Sequence, residues 1–143
     1  MSKARSRARR MAMQGLYEWQ VAGNTPADVY RTYQTEHDLK KVDQDYFKEL
    51  LLGVPEKLDE LDAHLTSHIS RPLNEIDPVE LAILRLACYE LVFRLDIPYR
   101  VVINESIELA KTFGAEAGHK FINGILDKVA IEVRSMEVNS RKK

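Results

Sequence analysis

The chain has 143 residues, 45% hydrophobic and 30% charged, with six glycines, five prolines and one cysteine. That length fits one domain burying about two-thirds of its unfolded surface, and the composition excludes disordered and collagen-like chains. With Cys88 alone, an intramolecular disulfide and a cysteine-based zinc site are excluded. No apolar run approaches the roughly 20 residues that span a bilayer.

Nearly every long segment carries a helical period, and none sustains the alternation of a strand. A first helix is expected over about 6–21, with Ala8, Ala12, Leu16 and Trp19 in one stripe and Met13 and Tyr17 beside it. Gly23-Asn24-Thr25-Pro26 closes it and opens a second helix over about 26–34, with Thr25 as N-cap. After the polar stretch Thr35–Val42, a third segment runs from Asp43 to about Ser67. Its stripe (Phe47, Leu50, Leu51, Val54, Leu58, Leu61, Leu65) keeps phase across Gly53 and Pro55, so a kinked helix or two abutting ones are expected.

Asp77-Pro78 starts the next helix, Pro78–Leu95. Its four charges, Glu80, Arg85, Glu90 and Arg94, leave no face wholly polar, which places it at the centre of the fold. Ile97-Pro98 breaks the chain before a helix over Arg100–Phe113, with Gly114 as C-cap. A last helix over about Glu116–Glu137 turns Ile122, Ile125, Leu126, Val129, Val133 and Met136 inward. The reading is an all-α single domain of six to seven helices.

Charge is unevenly placed. Eight of the 21 basic residues lie in the first ten and last three positions, leaving 13 against all 22 acidic residues between them. The ends are a basic N-terminal arm, residues 1–10, and a basic C-terminal tail, residues 138–143. Such asymmetry points to a polyanion partner or to a solubilising terminus. Met11–Val21, which follows the arm, is interrupted by Gln14, Glu18 and Gln20 and does not read as a signal peptide, so a cytoplasmic protein is expected.

Signals for catalysis are weak. His64 and His68 have zinc-ligand spacing, but Leu65 stands where a metalloprotease helix carries its glutamate, and a solvated face is the simpler reading. Asp59, Glu60 and Asp62 read as a surface run, and Cys88 as a packing group in an apolar helix. No glycine-rich phosphate loop and no nucleophile–base spacing is present. Neither an enzyme, nor a cofactor, nor a metal site is expected.

Signals for binding are stronger. Lys3, Arg5, Arg7, Arg9 and Arg10 lead into a helix carrying Tyr17 and Trp19. Guanidinium groups pair with phosphate bidentately and stack on bases, which favours nucleic acid over simple solubility. Arginine-rich segments order on RNA, and no duplex-DNA motif follows, so RNA is favoured, with protein docking as the alternative. In Lys120-Phe121-Ile122-Asn123-Gly124, Phe121 lies at the edge of the buried stripe. Periodicity reads it as core; beside His119 and Lys120 it is also placed to stack on an unpaired base.

Several blocks, in order, resemble the bacterial transcription antitermination factor family NusB. They are Arg9-Arg10-Met11-Ala12 with Gln14-Gly15-Leu16-Tyr17; Ile83-Leu84-Arg85-Leu86-Ala87 with Tyr89-Glu90-Leu91; and Pro98, Asn104-Glu105, Glu108-Leu109-Ala110-Lys111, Phe113-Gly114 and Lys120 through Asp127. The resemblance implies two packed helical subdomains and no catalysis. It implies binding to the single-stranded boxA element of ribosomal RNA leader transcripts. It further implies a heterodimer with NusE, a small-subunit ribosomal protein, and entry into the Nus-factor complex on RNA polymerase, which promotes transcription of rRNA operons.

By position, the resemblance assigns RNA contacts to the arm (Lys3, Arg5, Arg7, Arg9, Arg10), to Arg100 and to Lys120 and Phe121. It assigns the NusE side to Tyr17 and Glu80, the latter as a surface acid facing a basic protein. Within the arm, Arg5 and Arg9 align at i, i+4 with Arg10 flanking. Ala117 stands where some relatives carry an acid, so tighter RNA binding is expected here. Two rivals are kept. The same helical module precedes a methyltransferase domain in some rRNA cytosine methyltransferases, though this sequence holds no cofactor loop. Some relatives also dimerise through the partner surface, making an RNA-independent homo-oligomeric or docking module the competing expectation.

Overall fold

The computed structural model describes residues 2–114 and 117–142. Eight α-helices and one 3-10 turn account for most of them, with no strand among the described residues. Helix α1 spans Lys3–Ala22, starting earlier than the apolar stripe suggests because the Ser2 hydroxyl accepts from the Arg5 amide at 3.2 Å. Residues 3–10 are therefore the first turns of α1, pinned where the Asp43 amide donates to the Ala4 carbonyl at 3.0 Å. The helix ends at Gly23, whose φ of 75° is the left-handed conformation that glycine adopts without a Cβ penalty.

Helix α2, Pro26–Glu36, begins with Thr25 capping the Asp28 amide, as the Thr-Pro pair suggests. The long third segment is two helices, α3 Gln44–Glu56 and α4 Leu58–Thr66, broken at Lys57 just after Pro55. The 3-10 turn Leu73–Glu75 leads to α5, Pro78–Phe93, whose N-cap Asp77 accepts from the amides of Val79 and Glu80. Helix α6 spans Tyr99–Phe113, α7 Gly118–Val133 and α8 Ser135–Lys142. The expected start of the last helix, Glu116, lies outside the described residues, as does Lys143 of the C-terminal tail. That last segment is two helices rather than one. Arg134 interrupts it because its guanidinium turns back onto the carbonyls of Leu91, Glu90 and Arg94 at 2.8, 3.3 and 2.9 Å, capping the end of α5.

Helix α5 is the hub, with eleven of its sixteen residues buried. It packs against α1, α3 and α4 on one side and α6 and α7 on the other. One continuous core joins the two groups, running from Ala8 on α1 to Val138 on α8. Its central polar cluster is paired. The Glu90 carboxylate, 1% exposed, receives Arg9 Nε at 3.0 and 2.9 Å and also the Tyr46 hydroxyl. Burial and the Glu90 charge push the Tyr46 phenol far above its ordinary range, so it stays a donor.

Candidate nucleic-acid interface

A helix sorts its residues by angle, and the cations of α1 divide into two sets. Lys3, Arg7 and Arg10, at i, i+4 and i+7, are exposed and form an outward stripe. Arg7 donates to the Lys41 carbonyl at 3.3 Å, and the Arg10 guanidinium lies 6.0 Å from the centre of the Phe113 ring. Arg5 and Arg9 turn inward to the Tyr46 ring, their guanidinium carbons 4.6 and 5.4 Å from its centre.

Arg5 keeps some exposure, whereas Arg9 is 1% exposed and bonded to Glu90 and, at 3.1 Å, to Glu105. Burial opposes the Arg9 charge, yet hydrogen bonding and attraction to Glu90 leave its pKa raised. The expectation that Arg9 contacts RNA is therefore corrected: a guanidinium held by two carboxylates inside the core is not presented to a phosphate. The i, i+4 pair of Arg5 and Arg9 is an inward pair, and the outward series is Lys3, Arg7 and Arg10.

Lys120 and Phe121 occupy the first turn of α7. Lys120 is exposed; Phe121 is half-buried, packed on the core while the exposed Arg71 lies 5.5 Å from its ring centre. Its packing on the core agrees with the periodicity reading. Arg100, the second residue of α6, is exposed and sits 6.0 Å from the Tyr99 ring centre. Neither α6 nor α7 has a side-chain N-cap or an acid in its own first turn; the start of α6 is met instead by Glu137, whose Oε2 accepts from the Tyr99 amide at 2.9 Å.

Tyr17 is 37% exposed and lines an open groove of about 380 Å³ with Met13, Tyr33, Val79 and Phe113. Glu80, expected on the surface, is buried at 8% exposure, and this too is a correction. Its Oε2 fills the space beside Gly118, where a Cβ would come within 2.8 Å of it, because α7 starts directly over α5. Burial, then Asp77, pushes the Glu80 carboxyl up, with Arg71 pulling the other way.

The remaining candidates have structural partners. His64 Nδ1 and His68 Nε2 bracket the Glu132 carboxylate at 2.8 and 3.4 Å, tying α4 to α7. Asp62 pairs with Arg85 through two contacts of 3.0 and 2.9 Å. Among the described residues no group of three or more His, Cys, Asp or Glu could hold a metal ion, and no helix is long and apolar enough to cross a membrane. Cys88 is buried, and burial, reinforced by Asp62, Glu132 and Glu60, pushes its thiol up to about 12.

Comparison with known proteins bears on what such a surface does. A family model described as the NusB family matches residues 6–131. The transcription antitermination protein NusB of Shewanella pealeana is 58% identical over 87% of this chain and 93% of its own length. That of Nitrosococcus oceani is 53% identical over 99% and 95%. Among solved structures, Thermotoga maritima NusB superposes with a TM-score of 0.83 at 30% identity, covering 97% of this chain and 99% of that one. A crystal structure of the antitermination factors NusB and NusE in complex with dsRNA gives 0.80 at 27% identity, covering 90% and 97%.

Proposed function

Because the chain belongs to the NusB family, we propose that it is a transcription antitermination factor that binds the boxA element of rRNA leader transcripts together with NusE. In this reading it joins the other Nus factors on RNA polymerase in the cytoplasm and promotes transcription of rRNA operons. It works by binding, with no catalytic step, and its whole length forms one RNA-binding domain with basic ends.

The observation that carries the proposal is the pairing of exposed cations with a partly open aromatic ring and a mostly apolar groove. Exposed cations on α1 (Lys3, Arg7, Arg10), with Arg5 behind them, and Arg100 and Lys120 at two helix starts supply phosphate contacts. Phe121 supplies a partly open ring for an unstacked base. The mostly apolar groove around Tyr17 adjoins the exposed cations of α1, since Phe113 lines it and the Arg10 guanidinium lies 6.0 Å from that ring, and it offers a protein partner a footing beside the RNA. The phosphate contacts give affinity that falls with salt, and stacking and base-edge contacts select the sequence.

The test is fluorescence anisotropy of labelled boxA RNA against a scrambled RNA of equal composition, with and without NusE. The expected result is a boxA preference that sharpens when NusE is added. Equal binding of both RNAs, lost together as salt rises, would reduce the surface to an electrostatic tail and overturn the proposal.

A further inference from the structure

Arg71 had no part in the sequence reading, yet it is the side chain that meets the Phe121 ring. It lies in the turn between α4 and the 3-10 turn, immediately before Pro72, and is exposed, so it reaches the ring from the solvent side. Its guanidinium carbon is 5.5 Å from the ring centre, within cation–π range. Phe121 is fixed from beneath by the core and by its place in the first turn of α7. The start of α7 is seated in turn on the buried Glu80 carboxylate, which crowds Gly118 from below.

We propose that Arg71 is a further RNA-contacting residue, forming with Phe121 a two-walled slot that holds one unstacked base of the bound RNA. The proposal rests on the reading of Phe121 as a stacking platform. A base between two planes needs a gap of about 7 Å, twice an ordinary 3.5 Å contact. The guanidinium must therefore lift by roughly 1.5 Å from its present 5.5 Å, a small motion for an exposed side chain in a turn. In the free protein it covers the ring; in the complex it is the second wall. A planar guanidinium stacks on a base and an ammonium does not, so the site distinguishes arginine from lysine.

The experiment compares Arg71→Ala, Arg71→Lys, Phe121→Ala and the Arg71→Ala/Phe121→Ala double variant by anisotropy with boxA and scrambled RNA at two salt concentrations. Melting temperatures are measured alongside. Arg71→Ala is expected to weaken boxA binding by about 10-fold, the scale of one lost stacking contact, with less effect on scrambled RNA and an unchanged melting temperature. Arg71→Lys should not restore the loss, and the double variant should bind within about twofold of Phe121→Ala alone, since a slot with one wall missing gains little from the other. Full rescue by lysine, equal losses on both RNAs, or additive losses in the double variant would each overturn the slot and leave Arg71 as a point charge. Two outcomes separate this inference from the reading beneath it. If Phe121→Ala keeps full boxA affinity, the platform itself is wrong. If Phe121→Ala loses affinity and Arg71→Ala does not, only the slot is wrong.

Discussion

Arg9→Ala should behave as a core mutation although it removes one of five basic residues from the basic N-terminal arm. The guanidinium is 1% exposed, bonds Glu90 at 3.0 and 2.9 Å and reaches Glu105 at 3.1 Å. Removing it leaves the Glu90 carboxylate, also 1% exposed, with the Tyr46 hydroxyl as its remaining side-chain donor. Breaking one side of a buried pair costs about 3–5 kcal/mol, because the surviving charge stays desolvated. For a chain of this length each kcal/mol lowers the melting temperature by about 2–4 °C, so the expected fall is roughly 6–20 °C. Calorimetry or circular dichroism gives that number, and anisotropy of boxA RNA at several salt concentrations supplies the contrast. Arg10→Ala, on the exposed stripe, should leave stability within about 0.5 kcal/mol while making the plot of log affinity against log salt shallower by about 0.7. An Arg9→Ala protein that melts like the parent and shows the shallower salt dependence would refute the inward assignment and return Arg9 to the RNA.

Phe121→Ala should weaken boxA binding by about 1–3 kcal/mol and erase most of the preference over scrambled RNA, which paired titrations measure directly. Ala117→Asp should move two properties in opposite directions. A carboxylate at the uncapped start of α7 favours the helix end but repels phosphate, so RNA affinity falls while the melting temperature holds or rises. Alkaline pH should destabilise the fold. Cys88 and Tyr89 are each pushed up to about 12, both chiefly by burial, so the unfolded chain gives up these protons first. Stability is then fully present below the thiol's ordinary pKa of about 9 and is lost as pH rises toward 12. Urea titrations at pH 8, 9.5 and 11 would show it, and a flat profile would contradict the burial argument.

Much of the fold was legible because helices announce themselves locally. The Thr25-Pro26 and Asp77-Pro78 starts, the Gly23 stop and the central place of α5 are all written within a few residues of where they act. The break at Arg134 was not, because its cause is a set of carbonyls about forty residues away at the end of α5. The same holds for the interface. The basic arm was visible, but which arginine turns inward depends on Glu90, 81 residues distant. A trace of it was present: Arg9 is in helical phase with Met13 and Leu16, and Glu90 is a lone acid in an otherwise apolar turn. Glu80 went astray for the converse reason. Nothing near it in sequence shows that α7 begins above it, and the one hint is Gly118, the residue that leaves room. Arg71, in a turn with no periodicity, left no local signal.

The central claim, that one surface reads boxA while a neighbouring one holds NusE, is tested most directly by calorimetric titration of NusE into the protein, alone and saturated with boxA RNA. Coupled sites must reinforce each other by equal factors. The account predicts that boxA tightens NusE binding by the same factor by which NusE tightens boxA binding, and that scrambled RNA does neither. NusE binding with an affinity indifferent to boxA would contradict it.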